Sequence, residues 1–213
     1  MAALRGQESD GAFGVTSIRN LILGALMAGL LPGCALLGGG AAPLDTYELS
    51  AASPVGAGTR RSRTQILIAE PSALKSLDSE NIVIKPAPGE IQYLKGAQWA
   101  DRLPRVVQAR LAQTFQESGR LAGVGLPGEG LAIDYQVIAE IRAFEIRLGA
   151  GDRAEVEIFI RILNDRNGTV RASRSFSASA PVTGTGNAEY TAALDRAFGA
   201  ASQEIVDWAI GRF

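Results

Sequence analysis

The alternation of apolar and polar residues between positions 131 and 180 constrains the fold more than any other feature. In its first segment the apolar residues occupy every second position: Leu131, Ile133, Tyr135, Val137, Ala139 and Ile141. The phase then shifts, which predicts a β-bulge near Ala143. Two more alternating segments follow at 154–162 and 170–180. Because successive side chains of a strand point to opposite faces, the three segments predict an antiparallel meander with one apolar and one polar face.

Two segments show the periodicity of amphipathic helices instead. In the first, Leu103, Val107, Leu111 and Phe115 recur every four residues, with a predicted cap at Asp101 and an end at Gly119. The second is expected to begin with Asn187 as its cap. Its apolar stripe consists of Leu194, Phe198, Ala201, Ile205 and Trp208. Two such helices beside a half-apolar sheet predict a single α+β domain, with an antiparallel or mixed sheet and both helices packed on one face.

The first half of the chain gives weaker structural signals. Strands are predicted at 44–50, 65–69 and 81–85, and the segment Ile91 to Leu94 is expected to return as the second arm of a hairpin before breaking at Gly96. Residues 72–79 are predicted to form a short helical turn. The glycine-rich segment 121–130 has no Gly-Lys-Ser/Thr sequence or dinucleotide spacing, so a surface loop is expected there.

The N-terminal region has the pattern of a targeting sequence. Arg19 precedes an apolar run from Leu21 to Leu31, which is too short to cross a bilayer core that needs about 20 helical residues. The run ends in Leu-Pro-Gly33-Cys34, which resembles the lipobox of bacterial lipoproteins. We predict a signal peptide at 1–33, cleavage between Gly33 and Cys34, a flexible glycine-rich tether at 34–43, and a folded domain at 44–213.

The lipobox resemblance implies a covalent diacylglyceryl group and an N-acyl lipid on Cys34, which is the only cysteine of the chain. Two or three acyl chains hold a protein durably on a membrane, whereas one holds it only marginally. Ala35 and Leu36 lack the acidic residue that resembles an inner-membrane retention signal, so the periplasmic face of the outer membrane is the expected location. An ordinary apolar-region or buried cysteine is the alternative interpretation.

The composition excludes several classes of function. A net charge of −1 without the basic face that nucleic acid requires does not fit a nucleic-acid partner, and the trio Arg60, Arg61 and Arg63 is expected to lie in a solvated loop. The absence of histidine and the single cysteine remove most routes to metal binding, imidazole acid–base catalysis and thiol chemistry. No enzymatic activity, metal or cofactor other than the Cys34 lipid is therefore expected. A hydrolase using converging carboxylates is kept as an alternative.

A short motif precedes and begins the first predicted helix: Tyr93, Trp99-Ala100-Asp101, Leu103-Pro104 and the segment from Leu111 to Phe115. This combination resembles the central motif of the ABC-type transport auxiliary lipoproteins, which are related to paraquat-inducible protein C and accompany MCE lipid-transport systems. The resemblance covers roughly Leu44 to the C-terminus. We expect the motif residues to have a structural role, as core aromatics and a helix cap.

The resemblance implies a passive, non-catalytic component of a transporter for phospholipid or other hydrophobic molecules. The implied partners are an MCE-domain protein and an inner-membrane ABC permease with its ATPase, with the membrane contacted through the lipid anchor. A homo-oligomer is left open, and so is docking of copies or partners on the polar sheet face, which is otherwise simply solvated. The alternative function is a lipoprotein assembly factor, or an activator of cell-wall synthase or outer-membrane machinery.

Overall fold

The computed structural model describes residues 43–52 and 62–213, and every structural statement below concerns these residues. The predicted signal peptide, Gly33, Cys34 and all of the predicted tether except Pro43 lie outside the described residues.

The described part of the chain forms one mixed, open sheet of nine strands and two helices, which confirms the predicted α+β class. The strands are β1 (Asp45–Tyr47), β2 (Gln65–Ile68), β3 (Ser72–Ala73), β4 (Asn81–Lys85), β5 (Gln92–Trp99), β6 (Gly123–Gly125), β7 (Tyr135–Arg147), β8 (Arg153–Asn164) and β9 (Val170–Pro181). The helices are α1 (Leu103–Glu117) and α2 (Asn187–Ile210).

The 13-residue strand β7 is the centre of the sheet. Along one edge it pairs antiparallel with β8, which in turn pairs antiparallel with β9, so the predicted meander is confirmed. Along its other edge β7 pairs in parallel with β2, β3 and β4 in succession. Beyond these, β5 pairs with β4, β1 with β5, and β6 with β2. The register shift between Ile141 and Ala143 confirms the predicted bulge.

Both helices contribute to one hydrophobic core on the apolar face of this sheet, as predicted. The predicted stripe of α1 is buried throughout, and Leu194, Phe198, Ala201 and Ile205 of α2 are buried against β7, β8 and β9. Trp208 is half-buried, and its ring meets Phe176 of β9 edge-on at a centroid distance of 5.4 Å. The opposite face of the meander carries the polar half of the alternation.

The prediction that Asp101 caps α1 is wrong, because the first turn needs no side-chain cap. The N-cap is Arg102, whose own amide donates to Asp101 Oδ1 at 2.6 Å. The amide of Leu103 donates to the Ser79 carbonyl at 3.0 Å. Pro104 has no N–H, so little remains for a capping carboxylate to accept.

The prediction that the strand breaks at Gly96 is also wrong, since β5 continues to Trp99. Gly96 has a φ of +78°, a conformation that glycine adopts without steric cost. Asn81 of β4 pairs with Gln98 of β5, and Val83 pairs with Tyr93, so a step of two residues along β4 corresponds to a step of five along β5. The surplus residues therefore form an irregularity inside the strand.

Three further local expectations differ from the structure. Residues 72–73 form strand β3 on β7, so the helical turn expected at 72–79 is reduced to a turn at 75–77. The glycine-rich segment contains β6, because pairing with β2 satisfies its backbone and a Cβ on Gly125 would lie 2.1 Å from Leu131 Cδ1. Asn187 does not cap α2; its side-chain amide donates to the Lys95 carbonyl at 3.2 Å, and Gly186 is the N-cap.

Candidate functional site

The motif residues lie where β5 leads into α1. Trp99 and Leu103 are each 1% exposed, and Pro104 is also buried. Tyr93 is 47% exposed, and the Asp101 side chain is 48% exposed. The structure therefore places the apolar part of the motif in the core and leaves Tyr93 and Asp101 accessible to solvent.

Trp99, at the end of β5, begins a chain of aromatic contacts that reaches β7 and α2. Its ring meets Phe144 of β7 edge-on at a centroid distance of 5.7 Å, and Phe144 in turn lies 6.0 Å from Phe198 of α2. Aromatic pairs in this range add to the free energy already gained by burying the rings. The Trp99 amide also donates to the Glu80 carbonyl at 2.8 Å, and that of Ala100 to the Tyr47 carbonyl at 2.8 Å.

A charged cluster that the sequence did not reveal surrounds the start of α1. Arg102 donates through Nε to Asp78 Oδ1 at 2.8 Å, and its Nη1 lies 3.1 Å from Glu70 Oε1. The hydrogen bond with Asp78 raises the pKa of the Arg102 guanidinium. Arg105 lies 3.7 Å from Asp101. These partners are far apart in sequence and share no spacing, so only the fold brings them together.

The carboxylates considered for hydrolysis do not form a free converging pair. On the polar face, Arg142 contacts both Glu140 (3.1 Å) and Glu157 (3.8 Å), and its guanidinium lies 4.2 Å from the Phe159 ring centroid. Asp134 is bound to Arg166 at 2.9 Å. A carboxylate pair that cleaves sugars must instead face a shared substrate cleft. Here, each carboxylate is in contact with an arginine.

Asp134 joins two parts of the sheet through hydrogen bonds. Its Oδ2 accepts the backbone amide of Gln65 at 3.1 Å, and its Oδ1 accepts Arg166 Nη2 at 2.9 Å. The bond from the Gln65 amide is the main reason that the pKa of Asp134 is lowered from its ordinary value of 3.8, and Arg166 adds to the effect.

The described residues provide neither a metal-binding cluster nor a membrane-spanning helix. Within residues 43–52 and 62–213, no three or more acidic or cysteine side chains are grouped so that they could hold a metal ion. Over the same ranges, neither helix is long and apolar enough to span a membrane.

Comparison with known proteins gives a consistent set of relatives. The chain matches the ABC-type transport auxiliary lipoprotein component family over residues 47–206. It is 32% identical over 188 residues to the uncharacterized protein bll6063 of Bradyrhizobium diazoefficiens, a match that covers 85% of this chain and 50% of that protein. This chain thus spans half the length of that relative.

Two solved structures share the fold. Protein XCC0632 from Xanthomonas campestris superposes with a TM-score of 0.72 at 27% identity, covering 78% of this chain and 95% of that one. A second uncharacterized protein gives a TM-score of 0.61 at 14% identity, covering 79% and 99% of the two chains, and supports the fold alone. The family match covers nearly all of the folded domain and confirms the resemblance found in the motif, so this chain belongs to the ABC-type transport auxiliary lipoprotein component family.

Proposed function

We propose that this protein is a non-catalytic accessory component of an MCE-type ABC transporter, which moves phospholipid or other hydrophobic molecules between the envelope membranes. Lipids on Cys34 anchor it to the periplasmic face of the outer membrane. Its partners are the MCE-domain protein and the inner-membrane permease and ATPase, and the ATPase supplies the energy.

The family match over residues 47–206 carries this proposal, because it covers the domain that follows Cys34. The connection between the two is short. Residues 35–43 reach only about 30 Å when fully extended at ~3.3 Å per residue. A lipid on Cys34 therefore keeps the domain close to its membrane.

The arrangement of charged groups supports the non-catalytic part of the proposal. Carboxylates on the polar face contact arginines in structural ion pairs, for example Glu140 and Glu157, which share Arg142. A general base or acid needs a carboxylate that is free to exchange a proton with substrate.

The test is to isolate the protein with its partners from native membranes. The full-length tagged chain, expressed at its natural level, is cross-linked in cells and purified, and the captured proteins are identified by mass spectrometry. Enrichment of an MCE-domain protein with its permease and ATPase, relative to an unrelated tagged outer-membrane lipoprotein, is the expected result. Enrichment of cell-wall synthase or outer-membrane assembly proteins instead would contradict the proposal and support the alternative function.

A further inference from the structure

A cleft of about 670 Å³ lies at one end of the sheet, between the turn that follows β4 and the turn that joins β7 to β8. This volume is within the range of sites that bind small molecules, about 300 to 1,000 Å³. Three cationic residues line the cleft: Lys85, Arg147 and Arg153. The rest of its wall consists of Pro86, Ala87, Pro88, Gly89, Leu148, Gly149, Ala150 and Gly151.

The three cations form one row across the sheet. Lys85 is in register with Arg147, and Arg147 is in register with Arg153, so they project from three adjacent strands on the polar face. Like charges directly opposite one another on a sheet repel. The next row inward on the same face contains Glu145 opposite Glu155, which offsets part of that repulsion.

All four oxygens of these two carboxylates contact cations. Glu145, 2% exposed, meets Lys85 Nζ at 2.8 Å through Oε2 and Arg147 Nε at 3.1 Å through Oε1. Glu155 meets Arg147 Nε at 2.8 Å through Oε2 and Arg153 Nε at 2.9 Å through Oε1. Three positive and two negative charges leave a net charge of +1 in the cleft.

The arginines retain most of their hydrogen-bonding capacity. Both contact the carboxylates through Nε, so within the described part of the chain the terminal Nη groups of Arg147 and Arg153 have no acceptor. Each guanidinium thus offers a planar pair of N–H donors, which is the geometry that binds two oxygens of one phosphate. Their side chains are 46% and 55% exposed, so a ligand can reach them from solvent.

The surrounding turns leave room for such a ligand. A Cβ built on Gly89, Gly149 or Gly151 would meet no atom within 4 Å, so the space beside these residues is open. Ala150 and Gly151 line the cleft, and across residues 43–52 and 62–213 their backbone amides donate no hydrogen bond.

We infer that this cleft binds a phosphate group, as a free ion or as the phosphodiester of a lipid headgroup, between the guanidinium groups of Arg147 and Arg153. The carboxylate row holds the two arginines in place through Nε and directs their remaining donors outward. This inference is independent of the transporter assignment, because the site belongs to this chain alone.

The test is calorimetric titration of the purified full chain in an uncharged maltoside detergent, with inorganic phosphate and with glycerophosphoglycerol, the deacylated headgroup of phosphatidylglycerol. Saturable binding of either ligand is expected, and it should weaken with added salt because the attraction is electrostatic. Tighter binding of glycerophosphoglycerol identifies a lipid headgroup as the source, whereas tighter binding of phosphate identifies the free ion.

Arg153→Gln removes one pair of donors, whereas the ion pair between Glu155 and Arg147 remains. The substitution should raise the dissociation constant of the bound ligand about tenfold. The matched control is Arg161→Gln, which removes the same charge from the same strand at an exposed position eight residues away, about 26 Å along β8 at ~3.3 Å per residue. The control should bind like the natural chain. Absence of saturable binding to both ligands, or equal weakening in the two variants with thermal unfolding unchanged, would overturn the inference.

Discussion

Two buried serines, at the end of α1 and within α2, differ in whether their hydroxyl groups have hydrogen-bond partners among the described residues. Ser118, 1% exposed at the end of α1, donates through Oγ to the Phe115 carbonyl at 2.7 Å. Ser202, 0% exposed within α2, has no hydrogen-bond partner for its Oγ among the described residues. A buried hydroxyl that loses its bonds to water without replacement destabilises the folded state.

Ser202→Ala is therefore expected to stabilise the protein by about 1 kcal/mol, because it removes an unsatisfied hydroxyl and introduces the strongest helix former. Ser118→Ala, the matched control, should destabilise it by about 1 kcal/mol through the lost hydrogen bond. Urea unfolding monitored by circular dichroism measures both. Equal destabilisation by the two substitutions would show that Ser202 has a partner.

Asp134 links protonation to stability through its hydrogen bonds. Its pKa is lower in the folded protein than in the unfolded chain, so its contribution is present above the ordinary value of 3.8 and is lost as the pH falls through the lowered pKa. Asp134→Asn should cost about 1 kcal/mol at pH 7. That difference should shrink once the pH falls below about 4.

Chemical unfolding at a series of pH values measures this dependence. Glu48→Gln is the control, since Glu48 is 66% exposed in its ion pair with Arg110 and should contribute less than about 0.5 kcal/mol. A constant difference between Asp134→Asn and the natural chain from pH 7 down to pH 3 would contradict the role assigned to Asp134.

At the scale of elements, the family motif contains one buried and one exposed aromatic residue on the same strand. Trp99→Ala should destabilise the domain by about 3 to 5 kcal/mol, because it removes a buried ring that packs edge-on against Phe144 of β7. Tyr93→Ala, at a position 47% exposed, should cost less than about 1 kcal/mol. Urea unfolding of both variants tests the structural role predicted for the motif. A small loss in Trp99→Ala would contradict it.

The sequence was most informative where one pattern extends over many residues. The meander β7–β9 and the stripes of α1 and α2 follow from periodicity, because one face of each must be buried. β3 and β6 have two and three residues, too few to display alternation, and they form only because β7 and β2 offer edges to pair with.

The caps and the cleft depend on tertiary contacts that no local pattern reveals. Asp101 and Asn187 are residue types that favour helix caps. The Ser79 carbonyl nevertheless accepts the Leu103 amide at the start of α1, and the Asn187 side chain donates to the Lys95 carbonyl of β5. Lys85 lies far in sequence from Arg147 and Arg153. Only the parallel pairing of β4 with β7 brings these three cations into one row.

At the scale of the whole molecule, membrane attachment depends on one residue outside the described domain. Cys34→Ala should leave a folded protein that no longer sediments with outer membranes, because removing the acylated thiol eliminates the lipid anchor. Membrane fractionation with immunoblotting measures the distribution, and circular dichroism checks folding. Ala35→Asp is the matched control: it keeps the cysteine and should move the protein to the inner-membrane fraction. Persistent outer-membrane association of Cys34→Ala would contradict the anchor.

The order of the strands also determines where mechanical load enters the molecule. Among the residues that the structure describes, β1 forms one rim of the sheet and pairs only with β5, while β9 forms the opposite rim and pairs only with β8. Five strand spacings of ~4.8 Å separate the two rims, about 24 Å in all. A pull applied upstream of Pro43 therefore reaches the sheet first through the three-residue pairing of β1 with β5, at the rim opposite the 12-residue strand β9.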